Sequence, residues 1–263
     1  MDPTIRINII TPNEFRGGLL LTFQPAADQA GLTSPGKDAG DIRLTDAGAG
    51  NKPARAAVSL GMREKIDAET VRRAGASIVQ WLIKNRVSQA GIDLGSLTGM
   101  DILQATNALC EGLLLGAFRF DRYKSSSDEQ VKPILSLLAQ DNTQALNQVL
   151  ERSSIVAGAV NMAREWAHEP PNVINPITLA EKVQALAAEV GLKCTVLTDD
   201  QLEKMGAGAI VAVGKGSRTP SRLIVLEYPG ASEVPSAPVS LVGKCITFDT
   251  GGYSSKARTT CSA

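Results

Sequence analysis

Residues 56–94 read AAVSLGMREKIDAETVRRAGASIVQWLIKNRVSQAGIDL, and the order of apolar patterns within them decides the fold. The opening AAVSL is a short apolar run of the kind a buried strand carries. Asp67 follows as an N-cap, and Val71, Ala74, Ile78 and Leu82 then recur at helical spacing on one face. A second short strand is expected near residues 91–94, and a further helix over 101–116. Strand, helix, strand, helix within one stretch predicts an α/β layer fold.

The pattern extends in both directions. Residues 4–10 and 18–23 are β-like, and 24–55 read as a long Gly-, Ala-, Asp- and Pro-rich loop with one short strand near 42–44. An apolar run over 133–139 predicts a strand. Residues 142–167 turn helical, with Ala157, Gly158, Ala159 and Ala163 small enough for close packing. The prolines of HEPPNVINP (168–176) impose an extended path. Thr178 and Glu181 form a capping-box pattern for the next helix, which Gly191 ends. Strands are then expected at 193–197, 209–213, 222–228 and 238–243, apolar enough to be buried on both faces, with a short helix near 200–205. The expected organisation is an N-terminal α/β/α domain over 1–140, a linking helix over 141–168, and over 169–263 the first part of an α/β domain with a mixed central sheet.

Composition narrows the function. Lysine plus arginine equals aspartate plus glutamate at 27 each, so the chain lacks the basic excess of a nucleic-acid binder. Its first residues, MDPTIRINIITP, have no apolar run of signal-peptide length. No stretch approaches the ~20 apolar residues that span a bilayer. Cys110, Cys194, Cys245 and Cys261 contain no CxxC pair and read as isolated thiols of a cytoplasmic chain. A single histidine, His168, excludes any mechanism that needs two imidazoles, HExxH zinc proteases among them. No GxSxG elbow accompanies it, so a structural or surface role is expected.

Two Gly-Lys pairs resemble phosphate loops only superficially. The Walker spacing places glycine where this chain has Ala209 or Pro238, and a hydroxyl residue where it has Gly216 or Cys245. Residues 214–217 are therefore expected as a turn between strands. More informative is VGKCITFDTGGYSSK, residues 242–256. A strand there would deliver Lys244 to the edge where α/β sheets place ligands, followed by Asp249, Gly251, Gly252 and Lys256. A carboxylate on a glycine-flanked loop suits a hard divalent cation. A lysine can join it as the neutral amine, and a second, protonated lysine can stabilise an oxyanion. On residues alone, a Lys-Asp ion pair beside a Gly-Gly turn explains the same pattern equally well.

This run resembles the leucyl aminopeptidase signature VGKGITFDTGGYSLKP. Residues 112–125 (GLLLGAFRFDRYKS), 161–176 and 206–228 look like the same family, in the same order. The resemblance implies a metal-dependent aminopeptidase with a catalytic domain holding two divalent metal ions, manganese or zinc. By position it implies Lys244 as ligand of one metal, Asp249 as the carboxylate shared by both, and Lys256 as the residue polarising the substrate carbonyl. It also implies peptide substrates with a leucine-type preference and a homo-oligomer, hexameric in full-length relatives.

Cys245 replaces a glycine of the family pattern, Ser255 a leucine and Ala257 a proline. The family's remaining carboxylate ligands and its NTDAEGR motif have no counterpart in these 263 residues. A form truncated by a frameshift or premature stop near residue 255, inactive alone, is therefore expected. The competing expectation is a non-catalytic α/β module for assembly or ligand binding.

Overall fold

The computed structural model describes residues 5–25, 38–49, 52–125, 131–230 and 237–248. The chain forms two compact units, Met1–Glu165 and Trp166–Ala263. No described helix is long and apolar enough to cross a membrane.

The first unit is built on strands β1 (Arg6–Ile10), β2 (Leu19–Gln24), β3 (Ile42–Asp46), β4 (Ala54–Ser59), β5 (Gln89–Asp93) and β6 (Ile134–Leu138). They form one sheet in the order β1-β6-β5-β2-β4-β3. Five strands run parallel and β3 joins antiparallel at the edge, with a register shift between Leu44 and Asp46. The mixed α/β class expected from the sequence is thus observed, with the mixed sheet in this unit. Ala56, Ala57 and Val58 are fully buried, as strands covered on both faces require.

Helix α1 (Ala68–Lys84) starts at Asp67, whose carboxylate accepts the Thr70 amide at 2.8 Å. Val71, Ala74, Ile78 and Leu82 are buried, as their spacing predicted. Helix α2 (Ile102–Gly116) lies against α1 at a contact that only glycine permits. A Cβ on Gly112 would stand 2.0 Å from the Arg72 carbonyl oxygen, and one on Gly75 2.7 Å from that of Leu109. Helix α3 (Thr143–His168) closes the C-terminal end of α2. The Asn161 amide donates to the Leu114 carbonyl at 3.1 Å and Arg164 to that of Leu115 at 2.9 Å, satisfying acceptors that a helix end leaves open. Of the small residues in α3, only Ala157 is buried, and Gly158, Ala159 and Ala163 face outward.

The second unit contains α4 (Pro176–Val190), β7 (Lys193–Leu197), α5 (Asp199–Lys204), α6 (Gly208–Gly214) and β8 (Leu223–Glu227). Here four expectations are corrected. The cap of α4 is Asn175, whose side chain accepts the Ile177 and Thr178 amides at 3.0 and 3.2 Å, so the box lies three residues earlier. Residues 209–213 are helical with only Val211 buried, because a five-residue apolar run fits a short helix as well as a strand and alanine favours the helix. Strands β7 and β8 pair antiparallel with each other and are largely exposed, not buried on both faces. Residues 238–243 form no strand: Val239, Leu241 and Val242 are 93%, 96% and 98% exposed, without a ladder partner among the described residues.

Candidate functional site

A cleft of about 680 Å³ lies within the second unit, between the loop after α6 and residues 243–248. The loop is held by its own hydrogen bonds. The Ser217 amide donates to the Gly214 carbonyl at 2.9 Å, and the Thr219 amide to the Ser217 hydroxyl at 3.0 Å. The Ser221 hydroxyl, nearly buried, donates to the Ile210 carbonyl at 3.2 Å. A Cβ on Gly214 would lie 2.0 Å from that hydroxyl oxygen, so the close return of the chain requires glycine. The loop therefore joins α6 to β8 and is not a turn between strands.

Lys244 lines this cleft and is exposed. Among the described residues it is carried by chain outside any helix or strand, not by the C-terminal end of a strand. Asp249 and Lys256, the other two expected site residues, lie outside the described residues. Among the described lining residues are two cationic side chains, Arg222 and Lys244, several hydroxyls and no carboxylate. Such a set does not by itself fit a divalent cation, which needs anionic oxygen donors. No group of three or more His, Cys, Asp or Glu placed to hold a metal occurs among the described residues. Arg222, Ser217 and Thr219 escaped the sequence reading. Their only trace was a run of hydroxyl and basic residues between a glycine turn and a strand.

Three free thiols are described, and they occupy different settings: Cys245 is exposed on the cleft wall and Cys194 half-buried in β7. Cys110 is buried in α2, where loss of solvent, with Glu111 adding to it, pushes the thiol up to about 12. Exposed His168 ends α3, away from any nucleophile motif.

The first unit has a larger groove, about 900 Å³, walled by Ile5, Ile7, Leu114, Phe118 and Leu150. Its rim carries an Arg122–Glu165 ion pair, and the Arg164 guanidinium stacks 4.1 Å above the Phe118 ring. Asp121, held between Lys124 and Arg119, has its carboxyl lowered below the usual range, chiefly by the Lys124 hydrogen bond.

An α/β chain with a cleft bounded by a glycine-containing loop and lined by a lysine defines a class of protein only broadly. Comparison with known proteins narrows the class. The model of the cytosol aminopeptidase family N-terminal domain matches residues 39–127, and that of the family's catalytic domain matches residues 161–262. The chain belongs to the cytosol aminopeptidase family. A probable cytosol aminopeptidase of Syntrophotalea carbinolica is 40% identical over 224 residues, covering 82% of this chain and 45% of the relative. One from Acidithiobacillus ferrooxidans is 34% identical and covers 92% of this chain and 52% of the relative. The chain thus spans about half the length of the curated relatives it matches. Among solved structures, a tomato leucine aminopeptidase mutant superposes with a TM-score of 0.72 at 17% identity, over 88% of this chain and 52% of that one. The bottromycin maturation enzyme BotP, in complex with Mn, gives 0.66 at 23%, over 81% and 45%. At these identities the two structures establish the fold alone.

Proposed function

We propose that the chain carries the first part of the active site of a metal-dependent aminopeptidase that removes N-terminal residues, leucine-type by preference, from peptides. One observation carries this reading: the match to the family's catalytic domain runs over residues 161–262 and so includes Lys244, Asp249 and Lys256. Lys244, as the neutral amine, and Asp249, as a shared carboxylate, are proposed as part of the ligand set of two divalent ions. The metal is proposed as manganese or zinc, manganese being the ion of the BotP complex. Bound ions would supply Lewis acidity and an activated water for attack on the first peptide bond. Lys256, kept protonated, would hold the developing oxyanion at the substrate carbonyl.

The proposed catalytic domain begins near residue 169, and a cytoplasmic homo-oligomer, hexameric as in full-length relatives, is proposed with it. Two lysines and a single motif carboxylate are too few to fix two metal ions in a hydrolytic geometry. These 263 residues alone are accordingly expected to bind manganese weakly and to leave leucyl arylamides intact. Electron paramagnetic resonance of the chain titrated with Mn2+ tests the assignment. Immobilised manganese should appear at millimolar metal and vanish in Asp249→Asn. Signal unchanged by that substitution, or none at any concentration, contradicts the ligand assignment.

A further inference from the structure

We infer that the free edge of β1, at the groove of the first unit, binds an extended segment of a partner protein by strand addition, a segment whose side chains alternate between apolar and acidic. The inference concerns the first unit and stands apart from the proposed peptidase site.

Three observations carry it. First, β1 ends the sheet and pairs only with β6. The Arg6 amide donates to the Pro133 carbonyl at 3.1 Å, and the Ile10 carbonyl accepts from the Ala139 amide at 3.0 Å. The even-numbered residues of β1 thus spend their backbone groups on β6, and the residues between them point theirs the other way. Ile7 and Ile9 present N–H and C=O groups along the free edge, where they have no partner among the described residues. Second, this edge faces the groove of about 900 Å³, which Ile5 and Ile7 line together with Leu114, Phe118 and Leu150. Walls contributed by α2 and α3 leave room for one added strand and obstruct the whole sheet of a second copy. A single linear segment is the occupant that fits.

Third, the groove's charges state which segment. Arg6 and Asn8 share one face of β1 and Ile5 and Ile7 the other, and all four line the groove. The two carboxylates of the described lining are already taken, Asp121 by Arg119 at 3.0 Å and Glu165 by Arg122. Arg6 has no carboxylate partner among the described residues, and the edge therefore carries one unpaired positive charge. A strand laid along β1 sends its side chains alternately to the two faces: apolar ones beside Ile5 and Ile7, an acidic one beside Arg6.

The test titrates acetyl-Val-Glu-Val-Glu-Val-amide, whose blocked amine is no substrate for an aminopeptidase, into the isotope-labelled full chain without metal. The Ile7 and Ile9 amide resonances should shift and their hydrogen exchange slow by about tenfold or more. Of two N-methylated forms, one modified at the valines and one at the glutamates, one should lose binding and the other keep it, because only alternate residues of an added strand bond to the edge. The peptide with lysine for glutamate should bind about fivefold more weakly, the effect of one partly exposed ion pair, and Arg6→Glu should reverse that order. A Cβ on Gly158, which also lines the groove, would meet nothing within 4 Å. Gly158→Phe should therefore fill the groove and block the peptide without lowering the thermal midpoint. Absence of binding at millimolar peptide, equal binding of both methylated forms, or an order that Arg6→Glu leaves unchanged overturns the inference. So does a dimeric chain whose Ile7 and Ile9 amides are already protected, which would make a second copy the occupant. Binding lost in Asp249→Asn but kept in Gly158→Phe overturns it too, by placing the peptide at the proposed peptidase site. Loss of manganese binding alone removes the peptidase reading and leaves the strand-addition site standing.

Discussion

At the scale of single residues, the chain shows how placement rather than identity decides chemistry. Cys110 and Cys245 have the same thiol, yet one is sealed in α2 and the other lines an open cleft. Because burial raises the Cys110 thiol from 9.0 to about 12, the unfolded chain ionises first as pH rises. Its contribution to stability is complete below pH 9 and is lost progressively toward pH 12. Urea midpoints between pH 8 and 11 should fall less steeply in Cys110→Ala than in the parent; parallel slopes would contradict this. In native buffer a thiol reagent should label Cys245 quickly and leave Cys110 untouched until denaturant is added. Gly214 offers a second test. Alanine there must displace the Ser221 hydroxyl from the Ile210 carbonyl, at a cost of about 1–3 kcal/mol in urea unfolding. This constraint is not legible in the local sequence, since it arises from a chain segment returning seven residues later.

Elements were legible where one periodicity dominated. Helix α1 and strands β4 and β5 could be read because Asp67 caps a clean apolar stripe and the flanking runs are short. The α6 segment was ambiguous, since five apolar residues hold too few turns to reveal a period. For α4 the pattern Thr178–Glu181 competed with Asn175–Thr178, and proline at the first helical position decided for the earlier cap. Asn175→Ala should therefore cost about 1 kcal/mol, and Glu181→Ala a few tenths at most, by chemical denaturation. The pairing of α1 with α2 was not legible at all. It depends on three helical glycines, Gly75, Gly112 and Gly116, meeting backbone across the interface. Gly112→Ala should force the helices apart and destabilise the first unit by about 2–3 kcal/mol; a neutral effect would contradict the close approach.

At the scale of the whole molecule, the two units differ in how well their apolar surface is covered. The first unit has a continuous core from Leu21 and Ile92 to Leu109 and Leu137. In the second, Leu226, Tyr228, Val239, Leu241 and Val242 lie open, and exposed apolar side chains bind hydrophobic dyes. The chain should enhance ANS fluorescence in native buffer, and Leu241→Ser with Val242→Ser should reduce it. The proposed site was legible only as a motif. The run at 242–256 marked Lys244, Asp249 and Lys256, but spacing cannot reveal the loop over 214–222 that forms the opposite wall. Nor can it predict that 238–243 has no ladder partner among the described residues, because pairing depends on partner strands elsewhere. The most direct test of the central claim is a chimera in which residues 1–256 replace the matching part of the Syntrophotalea carbinolica relative, assayed for manganese-dependent release of leucine from leucyl peptides. The account predicts an active chimera that loses at least about a hundredfold in kcat with Lys256→Met and its manganese with Asp249→Asn. A folded but inert chimera, or one indifferent to both substitutions, would contradict it.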